Sequence, residues 1–434
     1  MVNTLDHLPL LPLFIKYSSH FLAPTIPQDE LGIYHTLRLN SRIRHIELDL
    51  PLSMLQKVLV LMDEYFPILE HLSLSSSFSA DSGHRPPLTL PKAFVAPNLR
   101  HLTLFGIGLP KRLRVLTSTI FLVTLTLSRI QTSYFRPRLL VARLQSFPLL
   151  EELTISFSIP IPRPSTEREI LGEKGAPITL PSLKILWFHG VGAFLESLVA
   201  QIRVPLLEQL YIRLFNQIAL VLPHFFYLVN NTKVFKLSKA TVGFHRDEVC
   251  VSMFHGLRRI PFYLCVRCKP LDWQIDCAAQ ICHALIPTLS GVEELSLPLV
   301  GYKEIPTEMR NGAIDSATWH DLLRTFIGVK QLHIDDALLE EPSRALEVDG
   351  VGLDPEFLPN LQSIRATRNL FTSFIDARQV VGRPVAYLVN PRIIASRFIS
   401  NPQRPQNRYQ SSTRMSANFT DLELQAVQNE SMYW

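Results

Sequence analysis

The sequence predicts an α/β fold in which parallel strands stand side by side with a helix outside each. Three observations lead there. One short phrase, Pro-x-Leu-x-x-Leu-x-apolar, recurs along the chain. Its spacing is that of stacked repeats. Between copies, apolar residues return at helical intervals.

The phrase is plainest in FPILEHLSL (Phe66–Leu74), which returns as FPLLEELTI (Phe147–Ile155). With its proline it reads PILEHLSL (Pro67), PNLRHLTL (Pro97), PLLEELTI (Pro148), PSLKILWF (Pro181), PLLEQLYI (Pro205) and PNLQSIRA (Pro359). Without proline it reads IRHIEL (Ile43), LVTLTL (Leu122), VEELSL (Val292) and VKQLHI (Val329). The long interval from Leu207 to Val292 has room for two degenerate copies, near VFKLSKATV (Val234) and FYLCVRC (Phe262). Repeats of about 20 to 50 residues are the signature of a solenoid.

Each part of the phrase has a physical role. Alternating residues such as Leu72 and Leu74 place one face of a short strand in the core. Proline neither donates to a ladder nor continues a helix, so it marks the helix end and the entry into extended chain. Between strands, SMLQKVLVLMDEYF repeats apolar residues at Leu55, Val58, Leu59, Met62 and Phe66, one stripe of a helix. Strand and helix in alternation give a parallel inner sheet with outer helices, an irregular leucine-rich-repeat solenoid or horseshoe. The asparagine that ties regular repeats together after the strand is missing, because SFSAD follows at Ser77. Curvature is therefore expected to vary, and the insertion Pro160 to Pro181 to loop out. The expected organisation is an N-terminal cap or remnant over 1–40, the solenoid over 41–389 and a disordered tail over 390–434. The tail is rich in Pro, Gln, Asn, Ser and Arg, with a short helix expected near LELQAVQ.

Composition narrows the function classes. The 434 residues are 47% hydrophobic and 19% charged, with a net charge of only +5. Acidic pairs such as Glu293-Glu294 and Asp335-Asp336 interrupt the basic residues, so no stripe tracks a nucleic-acid backbone. Five cysteines argue against a disulfide framework and for a reducing compartment, cytoplasmic or nuclear. The apolar stretch near the start carries two prolines and is too short for a bilayer span. Phosphate-loop, dinucleotide, zinc-protease and nucleophile-elbow motifs are absent, and glycines number only 17. The expectation is a protein that is not an enzyme and needs no cofactor.

Residues between the core positions of each strand face the concave side. Most are small or polar, including His101 and Glu152. One neighbourhood differs. Trp187 and His189 on one strand match Tyr211 and Arg213 on the next, and strands about 4.8 Å apart would make these four one patch. Trp, Tyr and Arg dominate binding hot spots, so the patch is the expected site for a protein partner.

Two groups of residues have the makings of a metal site. His45, His71 and His101 share one register, but no further ligand is placed beside them except Glu47. Cys265-x-x-Cys268 has zinc spacing, but on a strand over 262 to 268 the two side chains point to opposite faces. No metal site is expected.

The segments FNQIALVLPHF (215–225), LDWQIDCAAQI (271–281), WHDLLRTFIGVKQLHIDD (319–336) and FIDARQVVGRPV (374–385) resemble a family of fungal, mushroom-type F-box/leucine-rich-repeat-like proteins. The likeness runs from about Leu31 to Val389. It implies the substrate-binding part of an SCF-type ubiquitin-ligase adaptor, whose F-box docks the small cullin adaptor. The F-box itself is not evident, since the prolines of Leu8-Pro9-Leu10-Leu11-Pro12 oppose the opening helix. The cullin adaptor is thus a partner only if an F-box lies upstream. The alternative is a stand-alone protein-binding module with no ligase role.

Overall fold

A computed structural model describes residues 11–18, 27–77, 88–108, 114–130, 136–158, 176–215, 220–254, 260–302, 304–309, 316–346, 357–366, 368 and 370–389. The expected tail from Asn390 and most of the Pro160–Pro181 insertion lie outside the described residues.

All ten phrases become strands. In chain order the strands begin with β1 (Leu13–Ser18), β2 (Ile43–Pro51), β3 (His71–Ser77), β4 (Leu88–Thr89), β5 (His101–Phe105) and β6 (Ile107–Gly108). They continue with β7 (Thr124–Ile130), β8 (Glu152–Phe157), β9 (Ile178–Thr179), β10 (Ile185–Gly190), β11 (Ile202–Arg203) and β12 (Gln209–Leu214). The rest are β13 (Lys239–Phe244), β14 (Glu248–Phe254), β15 (Phe262–Arg267), β16 (Glu294–Leu297), β17 (Gln331–Ile334), β18 (Ser363–Ala366) and β19 (Ala386–Val389).

Among the described residues, fifteen of these strands form one sheet, in the order β1-β2-β3-β5-β7-β8-β10-β12-β15-β14-β13-β16-β17-β18-β19. Every neighbouring pair is parallel except the two that involve β14. The fold is thus mixed α/β, built on a large, mostly parallel sheet.

The register follows the phrase. Leu72 pairs with Leu102, and Leu102 with Leu125. These core positions and their equivalents Leu153, Leu186, Leu210, Leu295, Leu332 and Ile364 are all fully buried. Burying one such side chain stabilises the fold by about 1.5–3 kcal/mol, so each strand contributes through its alternate residues. The helix Leu52–Leu61 buries Met54, Leu55, Val58 and Leu59, and Met62 and Phe66 close the stripe behind it.

A polar ladder ties the copies together at a place the sequence reading passed over. In three copies the residue after the phrase proline reaches back to the preceding copy. Asn98 Nδ2 donates to Pro67 O at 2.7 Å, Ser182 Oγ to Pro148 O at 2.7 Å and Asn360 Nδ2 to Ile327 O at 2.9 Å. In these three copies the tie that regular repeats make after the strand is replaced by one made before it.

The interval from Leu207 to Val292 departs from simple succession. Both suspected stretches are strands, β13 and β15, but β15 lies against β12 while β13 lies against β16. Between them runs β14, antiparallel to both. Short loops join the three strands into a meander, which forces antiparallel pairing and a reversed order within the sheet. Gln274, on the helix Leu271–Ala284 and fully buried, fastens this segment. Its Nε2 donates to the carbonyls of His245 at 2.8 Å and Cys268 at 3.0 Å. Among the described residues no helix is long and apolar enough to cross a membrane.

Candidate functional site

Residues between the core leucines lie on the sheet's open face, and register arranges them in rows. Trp187 pairs with Tyr211, and Tyr211 with Tyr263. The Trp187 and Tyr211 rings stack at 4.3 Å and 22°. Tyr263 continues the row at 6.5 Å. All three residues are half-buried. Offset stacked rings of this kind hold one another in place, which lowers the entropy lost when a partner covers them.

The next row is His189, Arg213, Cys265, Cys250 and Gly243, on β10, β12, β15, β14 and β13. Arg213 is not a free binding group, as the sequence alone suggested, but half of an ion pair. Its Nη2 and Nε donate to Glu248 Oε2 at 2.7 and 3.0 Å. The two side chains are 29% and 12% exposed, so the pair sits largely out of solvent. Burial is the largest influence on Arg213 and lowers its pKa, but the Glu248 charge and hydrogen bond, with the Cys265 and Tyr263 side chains, together outweigh it and the value rises. Burial is likewise the largest influence on the Glu248 carboxyl and raises it, but the charges of Arg213 and His245 and the hydrogen bonds from Cys265 and Arg213 together hold it below the usual range.

His189 sits beneath this pair. Its Nδ1 is 3.2 Å from Ser156 Oγ and its ring 4.6 Å from Phe215. Burial and then the Arg213 charge hold its pKa down to about 3, so it is neutral and acts as a hydrogen-bonding spacer. The four residues expected together are therefore adjacent, and Arg213 and His189 are each engaged by a neighbouring side chain.

Glu152 belongs to the same face, one strand away, opposite Ile185. Burial and the neighbouring Glu151 raise its carboxyl pKa. His101 does not join the patch, since β7 and β8 stand between its strand and β10. It is the last of three neighbouring imidazoles farther along the row of Glu152, in which His45 and His71 stack at 4.2 Å and His71 and His101 lie 5.6 Å apart. His101 Nδ1 is 3.2 Å from Thr124 Oγ1.

Three residues that shape the site escaped the sequence reading. Tyr263 extends the aromatic row, while Glu248 and Cys250 lie beside it on β14. The alternation of Val249, Val251 and Met253 within EVCVSMF was the signal for this strand. Cys265 and Cys268 point apart as the alternation required, but Cys265 instead meets Cys250, its direct partner across the ladder. Tyr263 Oη is 3.0 Å from Cys250 Sγ.

Compared with known proteins, the chain matches no family model and no curated sequence.

Proposed function

We propose that the chain is a protein-recognition solenoid of irregular leucine-rich-repeat type, and that the open face of its sheet is the concave surface that captures a protein partner. The row Trp187–Tyr211–Tyr263 carries this reading. Three large, mutually braced aromatic rings on an otherwise small and polar face form the kind of anchor that dominates protein interfaces. Glu152 supplies a polar rim on one side and the Arg213–Glu248 pair on the other.

The resemblance to fungal F-box/leucine-rich-repeat-like proteins adds a purpose for capture. On that reading the chain presents a substrate to an SCF-type ubiquitin ligase in the cytoplasm or nucleus. The test has two parts. Affinity purification with the wild-type chain and with a Trp187→Ala/Tyr211→Ala double variant identifies proteins retained by the first and lost by the second. A variant that folds and retains every partner would move the recognition surface elsewhere. Binding of the purified chain to its host's small cullin adaptor supports the ligase role, and failure to bind favours the stand-alone module.

A further inference from the structure

We propose that Glu248, Cys250, Cys265 and His245 form a site for one structural zinc ion. A carboxylate oxygen of Glu248 and the sulfurs of Cys250 and Cys265 all lie within 4.8 Å of one another. Zn–S bonds of about 2.3 Å at a tetrahedral angle put two sulfurs about 3.8 Å apart, so bringing the two sulfurs to that spacing needs a movement of no more than about 1 Å.

The ladder explains why the three donors converge. His245 N donates to Glu248 O at 2.9 Å, and Cys268 N to Asp247 O at 2.8 Å. Hydrogen-bonding residues alternate along an antiparallel strand, so Cys250 turns its backbone toward β13. It therefore faces Cys265 as a non-hydrogen-bonded pair, the type whose side chains lie closer. Glu248 is two residues from Cys250 on the same strand and so shares its face.

His245 supplies the fourth ligand. Its Nε2 lies on the Gly243 side, 3.5 Å from where a β-carbon on that residue would stand, and the imidazole interacts electrostatically with the Cys250 side chain. Two sulfurs, one imidazole nitrogen and one carboxylate oxygen are a zinc donor set. Both thiols release their protons to solvent as the metal enters. The surroundings suit the charge: two thiolates and a carboxylate exceed the ion by one negative charge, and Arg213 is already bonded to Glu248. The Tyr263 hydroxyl is placed to donate to the Cys250 sulfur. The ion would pin β14 to β15 and both to the turn that follows β13, all three strands of the reversed segment.

The test is metal content and ligand identity in the purified 434-residue chain. The expected result is about one zinc per chain by mass spectrometry, lost in Cys250→Ser and in Cys265→Ser and kept in Cys277→Ser. Cobalt should replace it with the intense thiolate charge-transfer band of a tetrahedral site. Should the serine variants not fold, wild-type protein decides the matter. Chelation should expose Cys250 and Cys265 to alkylation, and zinc should restore their protection. A chain free of zinc after purification and zinc addition overturns the proposal. So does zinc retained by the Cys250→Ser/Cys265→Ser double variant.

Discussion

Replacing Gln274 by Glu keeps the shape of a fully buried side chain and removes both of its N–H donors. The carbonyls of His245, Cys268 and Lys269, at 2.8, 3.0 and 3.1 Å, would then face a carboxyl group. A carboxylate cannot ionise against three carbonyl oxygens in an apolar site, so the folded variant must hold the acid protonated. A free glutamate titrates near 4.3, and keeping it protonated at pH 7 costs about 3.7 kcal/mol. One hydroxyl replaces two N–H groups, which adds about 1 kcal/mol.

The total is near 5 kcal/mol at pH 7 and about 1 kcal/mol at pH 4, because the folded pKa is raised and the penalty fades as pH falls toward the unfolded value. With an unfolding entropy of about 2.1 cal/mol/K per residue, the Tm should fall by about 6 °C at neutral pH. Thermal denaturation of variant and wild type at matched pH values measures the difference. Gln274→Met, which lacks donors but cannot titrate, should show a smaller and pH-independent loss. A Glu variant whose deficit does not shrink on acidification would refute the reasoning.

Other consequences concern packing, titration and the polar ladder. A β-carbon at Gly190 would stand 2.8 and 2.9 Å from the Phe188 and Phe157 rings, so Gly190→Ala should cost about 1–3 kcal/mol in urea denaturation. No loss of stability there would mean that the aromatic cluster repacks freely. His71 is held down to about 4 by burial and then by the charges of His45 and His101, while the unfolded chain titrates near 6.5. Its contribution to stability is therefore full above pH 6.5 and is lost as pH falls from 6.5 toward 4; His71→Gln should flatten that decline, and an unchanged slope would count against it. Removing the ladder donors one at a time (Asn98→Ala, Ser182→Ala, Asn360→Ala) should cost about 0.5–1.5 kcal/mol each, additively, by equilibrium denaturation.

Much of the fold was legible because each strand states its own burial. Leu72 and Leu74 alternate with His71 and Ser73, and that local pattern needs no knowledge of neighbours. Pairing order was not legible across Leu207 to Val292. A strand that is antiparallel in the middle of a parallel sheet has the same period as any other, and only its short loops distinguish it. Trp187 and Tyr211 were found because equivalent positions of consecutive copies become neighbours. The pairing of Arg213 with Glu248 was hidden for the opposite reason: 35 residues and a reversal of strand order separate them. Cys250 was invisible for the same reason, since its partner Cys265 lies one hairpin away on a strand whose neighbour was unknown.

The reversed order of β13, β14 and β15 also bears on how the chain assembles. In a stack of parallel copies, each new strand can dock on the edge its predecessor has just completed, so ordering can follow synthesis. Here β13 emerges first but belongs three places beyond the exposed edge of β12, with two later strands between. It cannot join the sheet until β14 and β15 have been made and folded back, with β15 filling the gap. The two flanking runs of parallel strands can each grow by nearest-neighbour steps. The junction between them must close in a single event of longer loop, and such events are slow. A stall there would leave the edge of β12 unpaired, with a row of backbone donors and acceptors open to any other strand.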